Sequence, residues 1–296
     1  MNQPLQRMAS ARRAPTAGLL AALAALPLVA MLPGCGGGGG DVSPAVSTLS
    51  AANTRFSRTA TITVNGRNLR QGIQLGMEGG CENVTQVPNG SEDTQQFTCD
   101  VLGVGQLVGH VTTTGGAFLA RLAFNVPQPQ VSITTGKGVI TLELDAAKAP
   151  VTVRNFLNYV NGTTPFYRNV LFHTAIPERG VITGGYTSGL AVKVPTQAAI
   201  KLESDNGLKN VRGTVGMYRD AGFDSATSQW FINTADNPDL DYVNAENPGY
   251  AVFGTVLTGL DVAETISKVE TKSVPAKGLD NVPSVEILIT ATSQTR

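Results

Sequence analysis

Charge is scarce in this chain. Charged residues make up 15% of it, against about 25% in an average soluble protein, and 22 lysines and arginines balance 22 aspartates and glutamates. Without a basic excess, electrostatic capture of nucleic acid is excluded as its role. Histidine and cysteine are rarer still, at two and three. Neither His110 nor His173 stands near a Cys-x-x-Cys pair, so no metal site is expected. The glycine run Gly36 to Gly40 lacks a following Lys-Ser/Thr and a strand-to-helix setting, both of which a phosphate-cradling loop requires, and no cofactor is expected. Glycine is plentiful, at 33, but has no period of three, which excludes a collagen-like chain. The one long apolar run, Ala17 to Leu32, falls short of the roughly 20 residues a spanning helix needs.

What is present begins with an export signal. Arg7, Arg12 and Arg13 precede the apolar run, in the order of n-region and h-region. The run ends in Leu32-Pro33-Gly34-Cys35, which resembles the lipobox of bacterial lipoproteins, where the cysteine is lipidated and becomes the new N-terminus. The resemblance implies a removable signal over 1–34 and a lipidated Cys35 with a glycine-rich tether over 35–45. It also implies a membrane partner through the lipid anchor, in the periplasm of a bacterial envelope. Glycine after the cysteine, where aspartate would retain the protein, points to the outer membrane. With Cys35 so engaged, Cys81 and Cys99 remain as an even pair in an exported chain, and a disulfide is expected. Closing that loop is worth about 3 kcal/mol in the chain-entropy model.

Two domains follow. Residues 46–126 are rich in Thr, Val, Gly and Asn, with alternating stretches at Thr61-Ile62-Thr63-Val64 and Phe118 to Phe124, which place every second side chain on a buried face. Turn signals stand at Asn65-Gly66, Gly79-Gly80, Asn89-Gly90 and Gly115-Gly116. The pattern predicts a β-sandwich, and Ile62 to Leu69 loosely resembles bacterial immunoglobulin-like modules. A spacer or adhesive role suits a domain with no concentration of titratable groups, and His110 reads as a strand residue. Pro127-Gln128-Pro129-Gln130 marks a boundary. Beyond it the pattern predicts a hairpin of Val131–Thr135 with Val139–Leu144, and further strands at 169–175, 181–185, 213–218, 229–234, 250–257 and 284–290. Val153, Phe156, Leu157 and Val160 form one face of a helix opened by Pro150, and a second helix is expected near 260–269. Eight mostly antiparallel strands with two helices suit a closed barrel capped at its ends, in a mainly β chain.

Residues 131–292 also carry long recognisable blocks: Phe166-Tyr167, Leu171-Phe172-His173, Ile182-Thr183-Gly184-Gly185, Asn206 to Thr214, Asp224 to Asn233, and Gly249 to Gly254. In this order they resemble the cyclophilins, the prolyl isomerase family, and most of all their short bacterial branch. The resemblance implies an eight-stranded barrel with two capping helices. Its expected activity is peptidyl-prolyl cis-trans isomerisation on X-Pro segments of exported proteins. It implies that Phe231 floors a socket for the proline ring with Leu240 on its wall, while Trp230 points into the barrel. Gln229 is expected to hydrogen-bond substrate backbone, His173 to sit beside the socket, Tyr218 and Arg219 to lie on the strand that pairs with peptide, and Tyr250 to form the rim.

Three linked positions depart from the family pattern. Where the family reads Phe-His-Arg, this chain has Phe172-His173-Thr174, so the cation aimed at the prolyl amide is replaced by a hydroxyl. Thr183 stands where a glutamine orients that arginine. The loop Ile176 to Val181 is one residue longer, with Arg179 or Gly180 where a socket phenylalanine is expected. Thr174 and Gln229 remain as catalytic candidates, Arg179 as a cation able to reach back, and Val181 as a lining residue. The expectation is an isomerase of reduced activity. The alternative is a catalytically weak or inactive proline-peptide-binding chaperone or scaffold.

Overall fold

The computed structural model describes residues 43–296. The export signal, Cys35 and the glycine run lie outside the described residues. Seven strands come first: β1 (Ala45–Ala52), β2 (Thr59–Arg67), β3 (Ile73–Glu78), β4 (Cys81–Gln86), β5 (Thr94–Val101), β6 (Gly105–Thr113) and β7 (Phe118–Val126). They form a four-stranded sheet, β1-β2-β5-β4, and a three-stranded one, β3-β6-β7. Alternation decides the faces: Ala60, Ile62 and Val64 of β2 are fully buried, and Thr59, the first residue of the strand, is exposed. Cys81 and Cys99 are bonded as a disulfide between β4 and β5, with Cα atoms 5.5 Å apart. His110 lies on β6, 3.9 Å from Glu78 and tilted against Phe118.

One turn signal meant something else. Asn65-Gly66 lies inside β2, where the register of β1 slips between Val46 and Thr48. A Cβ on Gly66 would stand 1.9 Å from the Ala45 carbonyl oxygen, so this glycine permits the backbone approach of a bulge and makes no turn.

The C-terminal part contains β8 (Gln130–Thr135), β9 (Gly138–Leu144), α1 (Pro150–Asn161), β10 (Val170–Ile176), β11 (Gly180–Thr187), β12 (Ala191–Val192), β13 (Thr214–Met217), β14 (Trp230–Asn233), β15 (Val252–Thr258), α2 (Leu260–Ser267), β16 (Thr271–Val274), β17 (Leu279–Pro283) and β18 (Leu288–Gln294). Sheet order β10-β18-β8-β9-β15-β13-β14-β11, with β10 pairing β11, closes an eight-stranded antiparallel barrel. Strand β12 adds an edge, and β16–β17 form a separate hairpin. The last barrel strand starts later than the sequence pattern indicates, at Leu288, because Val285 belongs to an exposed connection.

Helix α1 plugs one end. Pro150 occupies its first turn, and Ala149 before it offers no side-chain cap. Glu203, distant in sequence, supplies the cap: its carboxylate accepts from Val151 N at 3.1 Å, Thr152 N at 2.8 Å and Thr152 Oγ1 at 2.7 Å, which also suits the positive end of the helix dipole. The buried face puts Phe156 against Tyr167, Trp230 and Phe253. The last barrel strand also meets the connection between β1 and β2: Gln294 Nε2 donates to the Phe56 carbonyl at 3.2 Å. The proline linker is pinned too, with Ala146 N donating to Gln128 Oε1 at 2.8 Å and Leu144 N to Pro129 O at 2.8 Å.

Candidate active site

Consecutive residues of β14 face opposite ways. Trp230 is fully buried inside the barrel, edge-on to Phe156, Tyr167 and Phe172. Phe231 lies on the outer face and floors a cavity of about 180 Å³. Pockets for drug-sized ligands run to about 300–1,000 Å³, so this one suits a single small ring. Gly216 of β13 pairs with Phe231, and a Cβ there would come within 2.1 Å of Phe231 Cζ. The ring therefore lies across the neighbouring strand in space that only glycine leaves.

One wall is Leu240, on the single 3-10 turn Pro238–Leu240, together with Tyr218 and Tyr250. Tyr250 stands edge-on to Phe231 at 5.8 Å and stacks on Tyr218 at 6.1 Å. Its backbone N–H donates to Leu240 O at 2.9 Å. This closeness requires Gly249, whose φ is 60° and whose added Cβ would meet Leu240 O at 2.4 Å. Arg219 braces the rim from behind: Nε donates to Gly249 O at 2.9 Å, and the guanidinium lies 5.0 Å from the Tyr250 ring centre. Arg219 does not itself line the cavity. Burial, then neighbouring Tyr250, Asp220 and Tyr186, raise the Tyr218 pKa, so this phenol stays a neutral donor.

The opposite lip is the β10–β11 turn with Ile176, Arg179, Gly180, Val181 and Ile182. Arg179 N donates to Ile176 O at 3.2 Å, closing a turn around Pro177 and Glu178. Its guanidinium pairs with Asp239, Nη2 to Oδ2 at 2.6 Å, and that hydrogen bond holds the Asp239 carboxyl below its usual pKa. Beneath the lip runs a buried amide network: Asn237 Nδ2 donates to Arg179 O at 2.9 Å and to Asn233 Oδ1 at 2.7 Å, and Asn233 Nδ2 donates to Thr214 Oγ1 at 2.8 Å. Ile176, Ile182, Asn233 and Asn237 are lining residues the sequence reading missed. The polar Asn233 ending the apolar run Trp230-Phe231-Ile232 was the available signal.

The structure separates several expected site residues from the cavity. Thr174 pairs with Ile182, Ile182 with Phe231, and Phe231 with Gly216, so these four share a face in one row, with Thr174 two strands from the floor. Thr183 pairs with Trp230, is fully buried, and donates to Leu171 O at 2.7 Å. Val181 pairs with Ile232 and is also fully buried, yet it does line the cavity as expected. Side chains alternate along a strand, so a register changed by one residue exchanges its faces. With the longer loop before it, β11 presents Ile182 outward, and Val181 and Thr183 inward.

His173 falls in a bulge, where the β10–β11 register slips between Phe172 and Thr174. It is 4% exposed, and its ring lies tilted against Tyr186 at 4.8 Å. Burial lowers its pKa from 6.5 to about 4, opposed only by the Leu171 carbonyl. That carbonyl already accepts from Thr183, and Nδ1 has no hydrogen-bond partner among the described residues. Gln229 lies on the outer face two residues before Phe231, its amide over Gly185, outside the cavity lining. The cavity can thus seat an apolar ring over an aromatic floor, with amide, phenol and guanidinium groups around its mouth.

The family model described as "Cyclophilin type peptidyl-prolyl cis-trans isomerase/CLD" matches residues 130–294, from the first barrel strand to the end of the last. Peptidyl-prolyl cis-trans isomerase A of Dickeya dadantii is 48% identical over 159 residues, covering 54% of this chain and 80% of that protein. A peptidyl-prolyl cis-trans isomerase of Acinetobacter baylyi is 40% identical over 177 residues, covering 59% and 89%. Peptidyl-prolyl cis-trans isomerase B of Escherichia coli is 41% identical over 143 residues, covering 48% and 85%.

Proposed function

The chain belongs to the cyclophilin-type peptidyl-prolyl cis-trans isomerases, and on that footing we propose that it assists the folding of exported proteins, with activity below that of its relatives. Rotation about an X-Pro amide faces about 20 kcal/mol because the twist destroys resonance between carbonyl and nitrogen. A catalyst must bind the twisted form better than the planar one. Seating the proline ring over Phe231, between Leu240 and Tyr250, removes water from the amide and holds one side of the bond while the other turns. The twisted amide is less polar than the planar one, so an apolar cup favours it even without a strong donor.

The observation that carries the reduced-activity reading is the row Thr174–Ile182–Phe231. It leaves a short hydroxyl two strands from the floor, where a donor to the amide would have to reach across Ile182. Loss of one preorganised donor costs about 10² to 10³ in rate in other enzymes. A second reading, a proline-peptide-binding chaperone without useful turnover, draws on the same row. Export is supported by the Cys81–Cys99 bridge, since disulfides persist in oxidising compartments, and we assign the lipid anchor at Cys35, periplasmic exposure and outer-membrane location to the same reading. A protease-coupled assay on a short X-Pro peptide separates the possibilities. A slow but enzyme-dependent rate is expected; a rate equal to buffer with peptide still bound leaves the chaperone, and a rate matching the Escherichia coli relative removes the claim of reduced activity.

A further inference from the structure

We infer that Arg179 is the substrate-facing cation of the cavity: its unpaired N–H groups take carbonyl oxygens of the peptide flanking the seated proline, and Asp239 is the positioning residue that aims it. The inference rests on reading the cavity as a prolyl socket. Among the described residues that line it, Arg179 alone carries a permanent charge; the others are apolar, aromatic, glycine or amide. Its backbone is fixed on both sides, with Arg179 N donating to Ile176 O at 3.2 Å and its carbonyl accepting from Thr234 N at 3.1 Å and Asn237 Nδ2 at 2.9 Å.

The side chain is aimed as well. Asp239 accepts from Nη2 at 2.6 Å and from Nη1 at 3.5 Å. A guanidinium carries five N–H groups in a rigid fork, so the carboxylate leaves the remainder, Nε–H among them, without partners among the described residues. Arg179 lines the cavity and Asp239 does not, which puts the carboxylate on the outer side of the fork. The two side chains are 43% and 59% exposed, open to an incoming chain. A surface ion pair of this kind adds little to stability. At the mouth of an apolar socket its effect is to hold donors still where a bound peptide presents its carbonyl oxygens. Those oxygens flank the bond that turns, so the grip is the same in planar and twisted states and acts on binding, not on the chemical step.

The test compares wild type, R179Q, R179K and D239N with a neutral, blocked tetrapeptide containing one X-Pro bond. Steady-state kinetics give kcat and KM, calorimetry gives Kd, and melting temperature checks the fold. R179Q is expected to raise KM and Kd about tenfold, the scale of one charge-assisted hydrogen bond at a half-exposed site, with kcat within twofold. R179K should recover only part, because a point charge lacks the fork. D239N, which keeps the cation but loses its aim, should fall between wild type and R179Q. If R179Q binds peptide within twofold of wild type, or loses kcat alone, the inference is wrong. Wild type that binds no peptide would instead remove the prolyl-socket reading and this inference with it.

Discussion

Replacing Thr174 with arginine should raise kcat/KM for a short X-Pro peptide by about tenfold to a hundredfold. Neighbouring strands lie about 4.8 Å apart, so the Thr174 Cα stands about 10 Å from that of Phe231, with Ile182 between them in the same row. The threonine hydroxyl extends only two bonds of about 1.5 Å from its Cα, which leaves a gap of roughly 7 Å to the space over the ring. An arginine side chain spans roughly 6 to 7 Å and can cross Ile182 to bring a guanidinium to about 3 Å from an amide seated there. One restored donor of this kind is worth up to about 10² to 10³ in rate. Thr183 faces the core with its hydroxyl on Leu171 O, so nothing on β11 would orient the new fork, and the gain should stop short of the full value. The assay is protease-coupled turnover beside calorimetric Kd. Unchanged or slower turnover by Thr174→Arg, with peptide affinity and melting temperature preserved, would refute the argument from the row.

Three other outcomes are expected. Gly216→Ala places a methyl where Phe231 Cζ would lie 2.1 Å away, so the ring must lift into the cavity; peptide Kd should rise at least tenfold, and an unaltered Kd would mean the ring is not the floor. Glu203→Gln weakens the cap on α1 and should cost about 1 kcal/mol, lowering the melting temperature by about 2 to 4 °C; a scan showing no change would count against the cap. His173 has a folded pKa of about 4 against 6.5 unfolded, so below pH 6.5 the unfolded state binds the extra proton and stability falls until pH about 4, by about 3 kcal/mol at most. His173→Gln should flatten that slope in denaturant titrations between pH 4 and 6.5; an equally steep slope would locate the proton elsewhere.

The readability of this chain varied with the range of the interaction that decides each feature. Val153, Phe156, Leu157 and Val160 repeat at helical spacing after Pro150, and α1 follows, because burying one stripe is a local pattern. Eight strand segments were visible as apolar runs, and they closed a barrel. The β16–β17 hairpin escaped because Lys272 and Ser273 are exposed and no face alternates. Asn65-Gly66 looked like a turn because the feature it serves, the approach of Ala45, comes from another strand.

By itself, the order of apolar and polar residues determined the fold class and put Phe231 and Trp230 on opposite faces of one strand. These depend on period and alternation, which neighbours in sequence settle. Tertiary structure alone decided that Ile182 faces outward while Val181 and Thr183 face the core, that Glu203 caps a helix far from it in sequence, and that Arg179 meets Asp239 at the mouth of the cavity. Each of those depends on registers and pairings between segments distant along the chain, where moving one strand by a single residue changes which atoms meet.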